Sequence, residues 1–280
     1  MISIITHGRN DDWQGVDWLG NTYLDSVYKS ISSNLKVIDK LDVEYEYILV
    51  EWAPFNDLIM DCQPRFKELF AKYPNLRTIV VDKSVVIKEG YKEKQYFEYF
   101  AKNVGMRDCK YENTILVNTD IIIYPQTMKK FIEIAKNGID DSKIYRIIWR
   151  YHGGGPPPQE QTGKINNKTE NRIIGGNFPG DIHMTSKSGF EKYGKGYDEG
   201  NDDHKTLAHT GMDSELIRNW YENGGEEVWL EESYWHINHH HPNPYDPGFS
   251  KEKSYKNRSD WGYIKYLRNI INEQLTIIKA

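Results

Sequence analysis

The chain has 280 residues, of which 38% are hydrophobic, and its formal net charge at pH 7 is -5. This length is sufficient to bury a large core. The mildly acidic charge argues against nucleic-acid binding, which needs a positive surface facing phosphate. Cys62 and Cys109 are too few for a disulfide framework, so we expect two reduced thiols.

The N-terminal segment and the apolar runs bear on localisation. Residues 1–13 have neither a basic start nor a long apolar core, so the sequence predicts no signal peptide. No run approaches the roughly 20 apolar residues that a membrane-spanning helix needs. We therefore expect a cytoplasmic protein without a membrane span.

Strands and helices alternate along the first half of the chain. The apolar patterns predict strands at 2–6, 45–50, 77–81 and 114–117, and helices near 23–35, 64–73 and 94–107. This alternation indicates a parallel, doubly wound sheet, whose ligands bind beyond the carboxyl ends of the strands. Polar segments follow three of the strands, at 7–12, 51–56 and 118–120. We expect them to meet at one edge and form a nucleotide site.

The second half has fewer periodic segments. Residues 151–172 contain three glycines followed by three prolines and predict a loop near a site. We predict a short helix at 186–193, a longer one at 213–223 that ends before Gly224, and a strand at 228–230. The last segment, 260–278, is amphipathic and predicts a helix.

Asp120 is our candidate metal ligand. It follows the predicted strand 114–117 in the tripeptide Asn118-Thr119-Asp120. Mg²⁺ and Mn²⁺ prefer oxygen ligands and neutralise diphosphate charge, so a carboxylate at a strand end suits such a site. Asn118 is placed to approach a ribose or a metal-bound water. An Asx turn that ends the strand is the structural alternative.

Two further segments carry candidate site residues. Lys102, Asn103 and Arg107 lie in the helix that leads to the Asp120 strand, where the cations would offset diphosphate charge. A solvated basic helix face is the alternative. The late segment 236–241 contains four histidines, and an imidazole such as His236 or His239 would complete a metal shell begun by Asp120. The alternative there is a polar surface strand.

Three carboxylates are candidates for a catalytic role. Asp213 lies where a helix is predicted to begin, and Glu215 lies in its first turn. A general base for an acceptor hydroxyl needs such an exposed carboxylate, although an N-cap is the structural alternative. Asp181, in a turn after Gly180, is placed to contact sugar hydroxyls.

Taken together, these segments resemble the GT-A glycosyltransferases, in particular those similar to family 2. Asn118-Thr119-Asp120 occupies the place of their DxD metal motif, and residues 101–105 match their Ala-Lys/Arg-Asn-x-Gly helix. Glu51 matches the acidic residue that ends their second strand. Residues that match the opening strand and loop, which hold base and ribose, are Thr6, His7, Gly8, Arg9 and Asn10.

The resemblance continues through the second half of the chain. The motifs Gly180-Asp181, Gly196-Tyr197, His209 to Asp213, His236 to His239, and Trp261-Gly262 occur in the family's order. Two positions depart from the family pattern. Asn118 replaces the first Asp of the metal motif, and Met212-Asp213 replaces the usual acidic pair.

The resemblance implies an α/β fold of the GT-A (Rossmann-like) type, with a doubly wound mixed sheet and helices on both faces. It implies one domain over 1–280, with a nucleotide-sugar-binding half at 1–124 and an acceptor-binding half at 125–280. The implied activity is a glycosyltransferase that uses Mn²⁺ or Mg²⁺, a UDP- or GDP-sugar donor and a glycan or other hydroxyl acceptor.

The resemblance also assigns roles. Asp120, with His236 or His239, would hold the metal. Residues 6–10, Glu51, Lys102, Asn103, Arg107, Asn118 and Thr119 would bind the donor. Asp213 would act as base with inversion, and Glu215 and Asp181 are its substitutes.

Three other functions fit parts of the pattern. A catalytically inactive GT-A domain that binds carbohydrate is compatible with Asn118. A sugar nucleotidyltransferase shares the sheet, but usually opens with a Gly-rich loop that binds a triphosphate, and segment 7–10 has one glycine. A metal phosphoesterase would need more Asp and His residues at other strand ends.

Overall fold

The computed structural model describes eight segments of the chain, and all structural statements below concern these residues. The segments are 1–10, 22–52, 57–82, 98–153, 171–172, 180–197, 212–237 and 275–279. Within them, no helix is long enough and apolar enough to cross a membrane.

The described segments form ten strands and seven helices. The strands are β1 (Ile2–Gly8), β2 (Tyr45–Trp52), β3 (Leu76–Val81), β4 (Asn113–Val117), β5 (Ile121–Ile123), β6 (Lys143–Gly153), β7 (Asn171–Arg172), β8 (Ile182–Ser186), β9 (Glu226–Ile237) and β10 (Leu275–Lys279). The helices are α1 (Tyr23–Ile38), α2 (Ile59–Cys62), α3 (Pro64–Lys72), α4 (Glu98–Asp108), α5 (Pro125–Asn137), α6 (Lys187–Gly189), which continues as a π-helical turn over Phe190–Gly194, and α7 (Met212–Glu222).

All ten described strands belong to one mixed sheet. Its order is β10-β3-β2-β1-β4-β8-β6-β9-β5, and β7 pairs with β6. Strands β3, β2, β1 and β4 are parallel, whereas β8 is antiparallel to both β4 and β6. The carboxyl ends of β2, β1 and β4 therefore lie side by side at one edge of the sheet.

Helices cover both faces of the sheet and enclose two hydrophobic clusters. Apolar residues of α1, α3 and α5 pack on one face, and those of α4 and α7 pack on the other. The alternation of β1 shows this division, because Ile2 and Ile4 belong to the first cluster and Ile5 to the second. The mixed sheet with helices on both faces is the fold expected from the sequence.

The local sequence accounts for where several helices begin. Thr22 caps α1 through a reciprocal pair of bonds: its hydroxyl accepts from the Asp25 N–H, and the Asp25 carboxylate accepts from the Thr22 N–H. Helices α3 and α5 begin with a proline, which has no N–H to leave unsatisfied.

Several element boundaries differ from the sequence expectations. His7 and Gly8 belong to β1, and Glu51 belongs to β2, so these residues are not in loops. Strand β9 is much longer than the predicted 228–230 and includes His236. The predicted loop 151–172 is wrong at both ends, where the chain is in β6 and β7.

The predicted C-terminal helix is wrong over 275–278, because these residues form β10 and pair antiparallel with β3. Thr276, Ile277 and Ile278 are β-branched, which favours a strand at a sheet edge. Residues 121–150, for which the patterns above give no element, form β5, α5 and most of β6. Strands from before and after residue 124 belong to the same sheet, and the division into two halves there stays a prediction.

Candidate functional site

Five polar side chains, which we call the strand-end cluster, lie together at the carboxyl ends of β1, β4 and β9 and at the start of the antiparallel β8: His7, Asn118, Asp120, Asp181 and His236. All five are buried or half-buried, although they come from four separate segments of the chain. Parallel strands collect such residues because their carboxyl ends share one edge.

The tripeptide Asn118-Thr119-Asp120 is a turn fixed from both sides. The Asn118 N–H donates to the Asp181 carbonyl over 2.8 Å, and the Ile121 N–H donates to the Asn118 carbonyl over 3.2 Å. The Asn118 side-chain amide also donates to one Asp181 carboxylate oxygen over 3.3 Å. Tyr234 donates its hydroxyl to the other Asp181 oxygen over 2.9 Å. Asp181 is thus a buried connector between β4 and β9.

Asp120 and His236 meet at this turn. The Asp120 Oδ2 lies 3.1 Å from the His236 Nε2, and both side chains are mostly buried. Strand pairing explains the contact, because Ile121 of β5 lies opposite His236 of β9 and the Ile237 N–H donates to the Asp120 carbonyl over 2.8 Å. The two side chains were predicted to lie together, and the register of β5 and β9 accounts for their contact.

Helix α1 holds the other edge of β5 in place. Ser30 donates its hydroxyl to the Ile121 carbonyl over 2.6 Å, and Asn34 both donates to this carbonyl and accepts from the Ile123 N–H. Ser30, Asn34 and Ile121 are all fully buried. These residues were missed from the sequence, although two polar residues on the apolar face of α1 are a visible signal.

The donor set of Asp120 and His236 fits a divalent cation in part. An octahedral ion with ligands at about 2.1 Å places neighbouring ligands about 3 Å apart, which agrees with the 3.1 Å between the two side chains. Within the described segments, no three His, Cys, Asp or Glu side chains converge as a metal site. Two protein ligands are nevertheless typical of Mg²⁺ sites that take their remaining ligands from substrate phosphates and water.

His7 is neutral at neutral pH in this setting. Its imidazole is buried on β1, and burial is the largest cause that lowers its pKa to about 4. The charge of Lys102 lowers the pKa further, whereas Glu98, Asn118 and Asp120 raise it. The neutral ring therefore adds no positive charge at the edge of the sheet.

Lys102 and Asn103 are fully buried in α4 and connect it to the β8 side of the site. The Lys102 Nζ donates to the Gly180 carbonyl over 3.1 Å. The Asn103 side chain donates to the Tyr197 carbonyl and accepts from the Tyr197 N–H, each over 3.0 Å. These contacts tie protein segments together, and a direct contact of either residue with a donor stays a prediction.

Arg107 lies at the opposite edge of the sheet from Asp120. The next residue, Asp108, pairs with Arg77 near the start of β3, and the Arg107 carbonyl accepts from Lys187 just after the end of β8. Helix α4 runs antiparallel to the parallel strands, so its last turn is far from their carboxyl ends. This placement removes the geometric basis for pairing Arg107 with a diphosphate.

Residues predicted to bind the base and ribose lie around the ends of β1 and β2. Thr6 and Gly8 face α1, and a side chain at Gly8 would approach Ile59 to 2.9 Å. Thr119 and Arg9 are buried, and Asn10 donates its amide to the Asp57 carbonyl over 2.6 Å. Thr6 and Gly8 therefore contribute packing below the site.

Glu51 binds the start of helix α2. Both carboxylate oxygens accept from the Ile59 N–H, at 2.8 and 2.9 Å. The side chain has no exposed surface, and burial raises its pKa to about 8. Its contact with the α2 backbone gives it a structural role next to its predicted role in donor binding.

The predicted catalytic residues Asp213 and Glu215 belong to the first turn of α7, as the sequence pattern indicates. Their side chains lie outside the described part of the structure, as does all of His239. Helix α7 is anchored on the α4 face of the sheet by Leu216, Ile217 and Trp220. The base assignment stays a prediction.

Two contributors to the site carried no sequence signal. Tyr234 holds Asp181 from β9, and His183 of β8 is buried on the same side as Lys102. Burial is the largest cause that lowers the His183 pKa well below its ordinary value, and Lys102 and Arg146 lower it further. Both residues become recognisable only when the strand order is known.

Comparison with known proteins shows the fold. No protein-family model and no curated protein matches the chain. The chain is similar to S. aureus TarS 1-349, a GT-A glycosyltransferase similar to family 2, in its complex with UDP-GlcNAc: the identity is 15%, the TM-score is 0.51, and 88% of this chain and 60% of that chain are covered. For TarS in complex with UDP the values are 14%, 0.50, 85% and 60%. The chain spans about 60% of the TarS chains that it matches, and the expected GT-A fold is confirmed.

Proposed function

We propose that the protein is a glycosyltransferase that takes a sugar from a nucleotide-diphosphate donor. The observation that carries the proposal is the meeting of Asp120 and His236 at the carboxyl ends of the strands in a GT-A fold. Ligands of open α/β sheets bind at this edge. The binding of UDP-GlcNAc and UDP by TarS, which has the same fold, makes these the first donors to test.

In the proposed reaction, the acceptor hydroxyl gives its proton to the Asp213 carboxylate. The hydroxyl oxygen forms a bond to the anomeric carbon while the bond between that carbon and the diphosphate breaks, and the diphosphate leaves with the electron pair. The centre is inverted, because attack and departure occur on opposite faces. Asp213→Asn is therefore expected to lower turnover much more than donor affinity.

Asp120 and His236 would hold Mn²⁺ or Mg²⁺ in this proposal. The cation supplies charge neutralisation for the leaving diphosphate. Asn118 would approach the ribose or a metal-bound water, and its hydrogen bond to Asp181 fixes its orientation. The neutral His7 ring beside them would add no positive charge to that of the cation.

The test is a thermal-shift panel of UDP-, GDP-, CMP- and dTDP-sugars, each with and without Mn²⁺. A ligand that binds the folded state raises the apparent melting temperature, so we expect one donor class to raise it, and more strongly with Mn²⁺. Release of the nucleotide diphosphate on incubation with acceptors would follow. Glycan binding without any donor binding would instead support an inactive carbohydrate-binding domain.

A further inference from the structure

Lys102 of α4 carries a buried ammonium group. This side chain has no exposed surface, although an ammonium is costly to bury without compensation. Its Nζ donates to the Gly180 carbonyl over 3.1 Å and lies 5.0 and 5.6 Å from the ring centroids of Tyr99 and Tyr197. The protein therefore holds this cation with a carbonyl dipole and two aromatic faces.

The carbonyl that Lys102 binds belongs to the turn that orients the metal motif. Gly180 precedes Asp181, and Asp181 binds Asn118 twice, through its carbonyl and through its carboxylate. Asn118 in turn closes the turn that carries Asp120 through the Ile121 N–H. Hydrogen bonds and the short backbone segments between them thus connect α4 to Asp120, the residue that meets His236.

We infer that Lys102 is a positioning residue, which fixes the Gly180–Asp181 turn and through it sets the position of Asp120 relative to His236. Lys102 then acts on the site from behind the sheet edge and does not bind the donor phosphates itself. The inference rests on the proposed function, in which Asp120 and His236 hold a metal. The hydrogen bonds that connect Lys102 to Asp120 do not depend on sugar transfer.

Lys187 offers a matched control. Like Lys102 it binds backbone carbonyls, those of Arg107 and Cys109 at 2.7 and 3.0 Å, although its side chain is only partly buried. These carbonyls lie at the end of α4 that is remote from Asp120. Lys187→Met therefore removes a lysine–carbonyl contact at the far end of α4. The hydrogen bonds that connect Lys102 to Asp120 stay intact.

The experiment compares Lys102→Met and Lys187→Met with the wild-type protein at one fixed pH. The first readout is the His236 imidazole resonance in ¹⁵N-histidine spectra, assigned with His236→Asn, because it reports the contact with Asp120. The second is the affinity for Mn²⁺ alone, measured by electron paramagnetic resonance. Circular dichroism and thermal unfolding monitor folding of each variant.

We expect Lys102→Met to shift the His236 resonance and to weaken Mn²⁺ binding about tenfold, the loss typical of a disturbed outer shell. Lys187→Met should leave both readouts unchanged at a similar loss of stability. If Lys102→Met does not fold, Lys102→Gln replaces it with the same expectations.

An unchanged His236 resonance in the folded Lys102 variant would overturn the inference. So would a variant that loses only UDP affinity, since the ammonium would then act directly on the donor. A wild-type protein that binds no nucleotide-sugar would refute the proposed function and would leave this test intact, because the imidazole resonance needs no donor.

Discussion

Glu51 shows how burial turns a carboxylate into a pH-dependent destabiliser. Its pKa is raised from 4.5 to about 8, so the folded state binds a proton that the unfolded state has already lost between these values. The free energy of unfolding therefore falls as the pH rises from about 4.5 to 8. One unit of pKa difference corresponds to about 1.4 kcal/mol, which puts the effect on the order of a few kcal/mol.

We expect Glu51→Gln to remove this pH dependence. The amide oxygen still accepts from the Ile59 N–H and carries no charge at any pH. Urea unfolding at pH 5, 6.5 and 8 should show the variant gaining stability relative to wild type toward pH 8. Parallel curves for the two proteins across this range would contradict the assignment.

Asp120 and His236 are the residues on which the proposed function depends. We expect Asp120→Ala to abolish the Mn²⁺-dependent part of the donor thermal shift, because it removes the carboxylate from the proposed pair of metal ligands. Asp42→Ala is the matched control, an exposed carboxylate between α1 and β2. Metal-dependent turnover that survives in Asp120→Ala would exclude this residue from the mechanism.

At the scale of elements, the close approach of α4 to the sheet depends on Gly105. A Cβ at this position would collide with the Ile5 Cγ2 of β1 and approach the Val50 Cγ2 of β2 to 3.1 Å. We expect Gly105→Ala to lower the free energy of unfolding by about 1–3 kcal/mol, the cost of overpacking a core.

A double-mutant cycle measures whether this collision is the cause. Ile5→Leu removes the branched methyl that the new Cβ would meet, so Gly105→Ala should cost less in the Ile5→Leu background. Chemical denaturation of the four proteins gives the coupling free energy. Strictly additive costs would show that Gly105 acts through backbone conformation alone.

Long helices and strands could be predicted from the sequence, whereas short ones could not. Helix α1 and strands β1 to β4 have long apolar patterns, and their existence follows from periodicity. Strand β5 has three residues, too few for any period, and its pairing with β9 joins residues that are far apart in the chain. Helix α5 was missed although Met128, Phe131 and Ile132 recur at helical spacing after Pro125.

Some residues of the site could be predicted from the sequence, and others could not. Asp120 and His236 are recognisable because each belongs to a chemically distinctive motif. Tyr234, Asn34 and the Gly180 carbonyl are common groups whose contribution comes from sheet order and helix placement. Arg107 lies at the other edge because α4 connects the parallel strands β3 and β4 and must run antiparallel to them, a constraint that the predicted parallel sheet already contained.

At the scale of the whole molecule, β10 is the strand at one edge of the described sheet. It pairs with β3 from Leu275 opposite Val81 to Lys279 opposite Arg77. Ending the chain at residue 274 should therefore expose the β3 amides that point away from β2. Hydrogen exchange is expected to accelerate at those amides and to stay slow in β1, which lies between β2 and β4. Unchanged protection of β3 would contradict the pairing.

The pairing of β5 with β9 has a consequence for biosynthesis. Asp120 emerges from the ribosome long before His236, and domains form from the N-terminus onward during synthesis. A nascent chain of about two hundred residues contains β5 and the α1 side chains that hold one of its edges, but β9 has yet to be made. The contact between Asp120 and His236 can therefore form only after β9 has been synthesised and has paired with β5.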